Sequence, residues 1–419
     1  MTPAGERTEH ATCLGCGCAC DDITVVVRGG TIVEAINACS LGRSWFGDGN
    51  VPAEVRSRGR AVPLEQAIGD AATLLGAARR PLVYLAPEIT SEAQRAAVAI
   101  ADRLGAALDS PTSEIADGVL ATQRRGRAGA TLGEIRQRAD LIVFWGVDPS
   151  VRYPRYTSRY AVDPVGVQAP NGRKSRTVVA VDVGPCRGPD SADERVTLAP
   201  REEVDALGAM RAAVLGRATG SPALGRVEDL ARRMAQGRYA VIVHDAEPGD
   251  PAPDADRSEA LVALALALNG PSRCALSSLR AGGNRSGADL VLTWQTGFPM
   301  AVDFAPGYPC YRPREGAAVW LARREIDAAL VVGSAAGLPA AVAQGLAAVP
   351  AVTIGPGASA APFKLGVAID TGVAGIHESG TAFRMDDVPL PLRAPLHAIA
   401  PPLPALTVVR ALAERLAGR

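Results

Sequence analysis

Four cysteines near the start of the chain, Cys13, Cys16, Cys20 and Cys39, stand in the spacing C-x2-C-x3-C-x18-C, and a fifth, Cys18, lies among them. Three thiols so close together converge only if the chain between them forms a tight loop. The fourth joins them only if the intervening segment doubles back. It is built to do so: Ile23 to Val27 and Thr31 to Ile36 are short β-prone runs, and Arg28-Gly29-Gly30 between them is a hairpin turn. Four converging thiolates are the usual ligand set of a [4Fe–4S] cluster. Structural zinc also uses four cysteines, though more often as two C-x2-C knuckles, and a loop that has ceased to hold metal is a third reading. Cys18 either substitutes for a neighbour or is inert. Cys186, Cys274 and Cys310 are scattered and read as buried spare thiols.

The residues after this module change in character. From Leu64 the apolar positions Leu64, Ile68, Ala71 and Leu75 follow a helical stripe, and the strand Pro81 to Ala86 comes next. A second helix is expected to open at Ser91, with Gln94 bonding back, and to close at Gly105. Apolar runs at 141–146, 177–182, 240–244, 328–333 and 351–355 alternate with helical stretches. Such runs suit a parallel sheet buried on both faces, with ligands at the carboxyl ends of its strands. With 419 residues, 47% of them hydrophobic and only 4% aromatic, the chain has material for more than one α/β core. The expected layout is a cysteine-rich cluster-binding module over residues 1–57, one α/β domain from 58–108 with 220–419, and a second from 109–219. Residues 216–226 read as a linker, and 388–404 as extended chain.

Charge excludes some partners. Lysine plus arginine number 44 and so do aspartate plus glutamate, so no net field draws the chain to nucleic acid or to an anionic membrane. The residues at 328–363 carry no charge, but glycines and prolines cut them into pieces shorter than the ~20 residues a membrane helix needs. Residues 1–12 lack the apolar core of a secretory signal. A cytoplasmic protein with reduced or metal-bound thiols is expected.

The segments Cys-Leu-Gly-Cys-Gly-Cys-Ala-Cys-Asp-Asp-Ile at 13–23 and Ile-Asn-Ala-Cys-Ser-Leu-Gly at 36–42 resemble the opening of the formylmethanofuran dehydrogenase B-subunit family. Further segments agree in order: Trp145-Gly146 with Pro149, Pro154-Arg155, Thr293-Trp294 with Gly297 and Pro299, Val302-Asp303-Phe304, and Gly380-Thr381-Ala382-Phe383-Arg384-Met385. The resemblance spans nearly the whole chain. It implies the layout of the molybdopterin and tungstopterin oxidoreductases: a small N-terminal iron–sulfur β module followed by two doubly wound α/β domains. By match to the family's motifs, the pterin contacts would be Asp148, Asp182, Arg280, Asn284, Gly287, Thr381 and Arg384, and the cluster ligands Cys13, Cys16, Cys20 and Cys39.

The chain also departs from that family at the places where chemistry is done. The family's metal-ligating cysteine, followed by histidine and glycine, should align within Pro111 to Gln123, which holds neither cysteine nor histidine; Glu114 stands nearest the ligand position, followed by Ile115. A carboxylate can ligate such a metal. The family's histidines around Pro-Arg become Tyr153 and Tyr156, and Val181-Asp182-Val183-Gly184 lacks the family's proline and arginine after the aspartate. The chain's four histidines, His10, His244, His377 and His397, lie elsewhere. Oxidation or reduction at a formate-like carbon needs a group that exchanges a proton near neutral pH, and tyrosine, with a pKa near ~10, is a poor substitute for histidine. The pattern is similar to the B subunit of the bacterial formyltransferase/hydrolase complex. There an amidohydrolase-like A subunit and a formyltransferase D subunit, with a C subunit, pass a formyl group to a methanofuran-like carrier and hydrolyse it to formate. The resemblance implies a scaffold with a degenerate metallopterin site, its own catalysis lost. The alternative is a working molybdenum or tungsten pterin subunit that interconverts formate or a formyl amide with CO2.

Overall fold

The computed structural model describes residues 5–217, 221–247, 254–363, 365–396 and 402–418. Two compact units emerge, one from Met1–Glu114 with Gly282–Arg419 and the other from Ile115–Ala281.

In the first unit the continuous apolar runs Pro81–Leu85, Ala328–Val332 and Ala351–Gly355 are buried at every residue. Strands of this kind require cover on both faces, which parallel sheets with crossover helices provide. Among the described residues they form a nine-stranded sheet in the order Cys310–Tyr311, Val302–Asp303, Ala107–Asp109, Pro81–Leu85, Ala328–Val332, Ala351–Gly355, Leu365–Asp370, Val55–Ser57, Arg60–Ala61. The run from Ala107–Asp109 to Leu365–Asp370 is parallel, and antiparallel strands finish both edges. The helices Leu64–Gly76, Ser91–Leu104, Arg285–Thr296 and Ala405–Ala417 contribute Ala71, Ala97, Val291 and Val409 to its core. The uncharged segment resolves into strand, the helix Ala340–Leu346, and strand, and no helix among the described residues is long and apolar enough to cross a membrane.

The hairpin at Gly29-Gly30 forms as expected, joining Ile23–Arg28 to Thr31–Ile36, with Glu6–Ala11 as a third antiparallel strand. This module is continuous with the first unit rather than separate from it. Leu14 and Ala19 pack with Ala374, Ala382, Leu390 and Leu392, and Val55–Ser57 pairs with Leu365–Asp370. The helix expected at Ser91 is capped one residue earlier, by Thr90, whose side chain accepts from the Ala93 N–H. Gln94 does not bond back; its Nε2 donates to Asn284 O at 3.1 Å. The helix closes at Gly105 as expected, with φ 61°.

The second unit holds an all-parallel sheet, five-stranded among the described residues, in the order Glu194–Leu198, Thr177–Val183, Leu141–Trp145, Ala240–Asp245, Cys274–Leu279. This moves the expected boundary. The last two strands hydrogen-bond onto Leu141–Trp145, so the segment up to Ala281 belongs here and not with the C-terminal half. Position 219, where the boundary was expected, lies outside the described residues, as do His397 and parts of the linker and of the extended segment.

Candidate functional site

The cysteine loop is held by its own backbone: Cys13 N–H donates to Cys20 O at 2.9 Å, and Ala19 N–H to Cys16 O at 3.1 Å. Cys39 caps the helix Ser40–Phe46, its sulfur accepting from Gly42 N–H at 3.4 Å, while the Cys13 sulfur accepts from Gly15 N–H at 3.4 Å. A Cβ on Gly42 would lie 3.3 Å from the Cys13 sulfur and 3.7 Å from that of Cys39. The two sulfurs therefore flank the start of this helix. Burial pushes the Cys13 thiol up, and Cys16, Cys20 and Cys39 are close enough to raise it further by repulsion. The fully buried Cys18 bonds to Cys16, which, with burial, raises its thiol too; Arg384 acts the opposite way. A buried thiol such as that of Cys13 or Cys18 becomes thiolate only when a cation accompanies it. Four cysteines are the donor type that an iron–sulfur cluster would take. Among the described residues no three His, Cys, Asp or Glu side chains are grouped to hold a single metal ion.

Two segments from the far end of the sequence cover this loop. Gly283 N–H donates to Leu14 O at 2.8 Å, and a Cβ on Gly282 would come within 2.0 Å of that same oxygen. Only glycine permits this approach. Met385 N–H donates to Gly17 O at 3.0 Å, which places Arg384 beside the cysteines.

The residues matched to the pterin fall into two sets, one in each unit. In the first unit, Asn284 is 2% exposed and φ is 63°. Its amide donates to Ile89 O at 3.0 Å and Ser91 Oγ at 3.2 Å, and its Oδ1 accepts from Phe383 N–H at 2.8 Å. Gly287 makes room for that amide, since a Cβ there would lie 2.1 Å from Asn284 Oδ1. Arg384 is held in a bidentate pair with Asp386, at 2.6 and 2.8 Å. Thr381 gives its N–H to Glu92 at 3.0 Å. Glu114 lies half-buried in the short 3-10 turn Pro111–Ile115, and its charge with that of Asp109 raises the buried Tyr84 phenol beyond what burial alone does.

In the second unit, Asp148, Asp182 and Arg280 lie at the carboxyl ends of Leu141–Trp145, Thr177–Val183 and Cys274–Leu279. Asp182, 1% exposed, is neutralised by Arg195 at 2.6 Å and also accepts Gly188 N–H at 2.9 Å. Asp148 is exposed and accepts Ser150 N–H at 2.9 Å; Arg280 is half-buried. Tyr153, at a position where the family resemblance expects histidine, donates to Asp245 at 3.1 Å, and Tyr156 pairs with Ser277 at 2.9 Å. Burial, then the Asp245 charge, pushes the Tyr153 phenol well above its ordinary range.

Sequence reading missed the groups that engage these residues. Asp386, two residues past Arg384, was a visible signal; Arg195 and Glu92 gave none. It also missed a buried group in the second unit, where Glu203 accepts both Trp145 Nε1 and Arg257 Nε at 2.7 Å. Asn284 and Arg384 are thus already hydrogen-bonded within the chain, whereas of the Asp182 carboxylate only Oδ1 is hydrogen-bonded, its buried Oδ2 having Arg187 at 3.4 Å and no hydrogen-bond partner among the described residues. Asn284 and Arg384 do not fit a pterin as they stand.

A thiol loop in a small N-terminal antiparallel module and a second α/β unit inserted after residue 114 define a two-unit α/β chain. No family model matches the chain. It is 30% identical over 429 residues to the B subunit of the tungsten-containing formylmethanofuran dehydrogenase 2 of Methanocaldococcus jannaschii, covering 97% of this chain and 98% of that one. The protein of the same description from Methanococcus maripaludis is 29% identical, covering 93% and 94%. Among solved structures, a chain of the formyltransferase/hydrolase complex FhcABCD from Methylorubrum extorquens, crystallised with methylofuran, superposes with a TM-score of 0.71 at 26% identity, over 87% of this chain and 99% of that one. The chain belongs to the formylmethanofuran dehydrogenase B-subunit family.

Proposed function

We propose that this chain is the B subunit of a cytoplasmic formyltransferase/hydrolase complex of one-carbon metabolism and serves there as a non-redox scaffold. Its sister subunits in this reading are an amidohydrolase-like A subunit, a C subunit and a formyltransferase D subunit, and the carrier is methanofuran-like. The likeness to a chain of FhcABCD, a complex crystallised with methylofuran, supports the assembly. The observation that carries the scaffold reading is the fate of Tyr153 and Tyr156. Each hydroxyl is tied to a strand residue, Asp245 or Ser277, and burial pushes the Tyr153 phenol further above neutral pH. Neither can exchange a proton at a formyl carbon near pH 7.

Cys13, Cys16, Cys20 and Cys39 are the residues that would hold a [4Fe–4S] cluster, which would supply one-electron capacity if bound. The chain's part is to brace the cluster, through the amides of Gly15 and Gly42 and the cover of Gly282 and Gly283. The retained thiol loop and the half-buried Glu114 favour the second reading, a working molybdenum or tungsten pterin subunit.

Elemental analysis of the purified complex separates the two. The scaffold reading expects about four iron atoms per chain, negligible molybdenum and tungsten, and no viologen-linked oxidation of formate or formyl carrier. Stoichiometric molybdenum or tungsten with extractable pterin overturns it, and zinc in place of iron overturns the cluster.

A further inference from the structure

We propose that the groove between the helix Leu132–Arg138 and the loop at residues 163–170 is a docking surface for an acidic, partly apolar polypeptide segment of another subunit. The proposal rests on the reading that this chain works inside a complex. The groove has a volume of about 680 Å³ and is lined by Gly133, Glu134, Gln137, Arg138, Val167 and Gln168.

The loop on its rim presents Val165 and Val167 at 62% and 83% exposure. They are not exposed because the loop is slack. Val167 N–H donates to Gln137 Oε1 at 3.1 Å, and Gln168 N–H to Gln137 O at 2.9 Å. Behind them Arg176, 4% exposed, donates to Arg136 O at 2.6 Å, Ala139 O at 3.1 Å, Val162 O at 3.1 Å and Pro164 O at 2.5 Å. One guanidinium thus fastens the loop to the helix. A buried arginine that fixes two valines in water makes a surface already ordered for binding, which lowers the entropy lost on association.

Charge and hydrogen bonding describe the occupant. Glu134, the acid in the lining, accepts Tyr239 OH at 2.9 Å and has Arg273 at 4.0 Å. Arg136 and Arg138 on the helix are exposed, and neither guanidinium is in an ion pair among the described residues. Arg138 is therefore the lining charge left open to an acidic partner, with Arg136 beside it on the same helix. An extended segment that sets a carboxylate against Arg138 and apolar side chains over the valines meets both demands.

The test uses the intact complex. With p-benzoylphenylalanine in place of Val167, irradiation should crosslink this chain to a sister subunit within a stretch bearing Asp or Glu. Val167→Asp and Arg138→Glu should each weaken retention of that subunit about tenfold or more in native mass measurements, while the isolated chain melts as the wild type does. Val167→Ser, milder, should weaken it less. A probe that labels no protein chain, or both charged variants holding every subunit as the wild type does, overturns the proposal. A chain that purifies with no sister subunit defeats the functional reading itself, a result distinct from a complex that assembles and leaves position 167 open.

Discussion

His244, at the carboxyl end of Ala240–Asp245, is 9% exposed, with Nε2 2.8 Å from Ser278 Oγ. Burial, and after it the charge of Arg257, push its pKa down to about 3. In the unfolded chain a histidine titrates near ~6.5. Between these values the unfolded state binds a proton that the folded state refuses. The contribution to stability is therefore complete above about pH 6.5 and is lost as the pH falls toward 3. Calorimetric melts at pH 7 and pH 4.5 should show a fall in Tm that His244→Gln reduces, and an equal fall in both proteins would refute the assignment. The sequence showed that His244 stands apart from the family's histidine positions. It could not show the burial that keeps the ring neutral, because a strand's apolar pattern does not tell which of its end residues the following loop will cover. Tyr153 and Tyr156 teach the same lesson: their identity was legible, their partners Asp245 and Ser277 were not.

Among elements, local pattern foretold the hairpin at Gly29-Gly30 and the strands at 81–86, 141–146, 328–333 and 351–355, since turn chemistry and continuous apolarity act within a few residues. It failed where two neighbouring residues offer the same chemistry. Thr90 and Ser91 both carry a cap-forming hydroxyl; Thr90 takes the cap, while Gln94 bonds to Asn284, 190 positions away in sequence. The cysteine spacing was plain, but the cover over the loop was not. Gly282 lies so close to Leu14 O that a methyl group there meets backbone, which cannot step aside as a flexible side chain would. Gly282→Ala is expected to destabilise the protein by about 2 kcal/mol or more and, on the proposed cluster reading, to lower the iron retained per chain. Denaturant melts with parallel iron determination check both, and unchanged iron in a destabilised variant would detach this loop from the thiol site.

For the whole molecule, the division between units was the least legible feature. Each buried parallel strand reads as the same apolar run, so Ala240–Asp245 carries no local mark of which sheet it will join. Only its register against Leu141–Trp145 decides. The second unit is one uninterrupted stretch, with a core of its own drawn from Val143, Val181, Leu207, Leu230, Ile242 and Leu264. Residues 115–281 expressed alone should therefore unfold cooperatively with native-like helical circular dichroism. A fragment that melts without a transition would show that this core needs the rest of the chain.

The strand Pro81–Leu85 has its parallel neighbour at Ala328–Val332, and Val55–Ser57 must find Leu365–Asp370. During synthesis the first 114 residues leave the ribosome with both partners still unmade, and the whole of the inserted unit is translated before either exists. The nascent chain thus carries open strand edges and a thiol loop not yet covered by Gly282 and Gly283 while the inserted unit is made, the interval in which a chaperone or a metal-delivery factor would have its access to Cys13 and its neighbours.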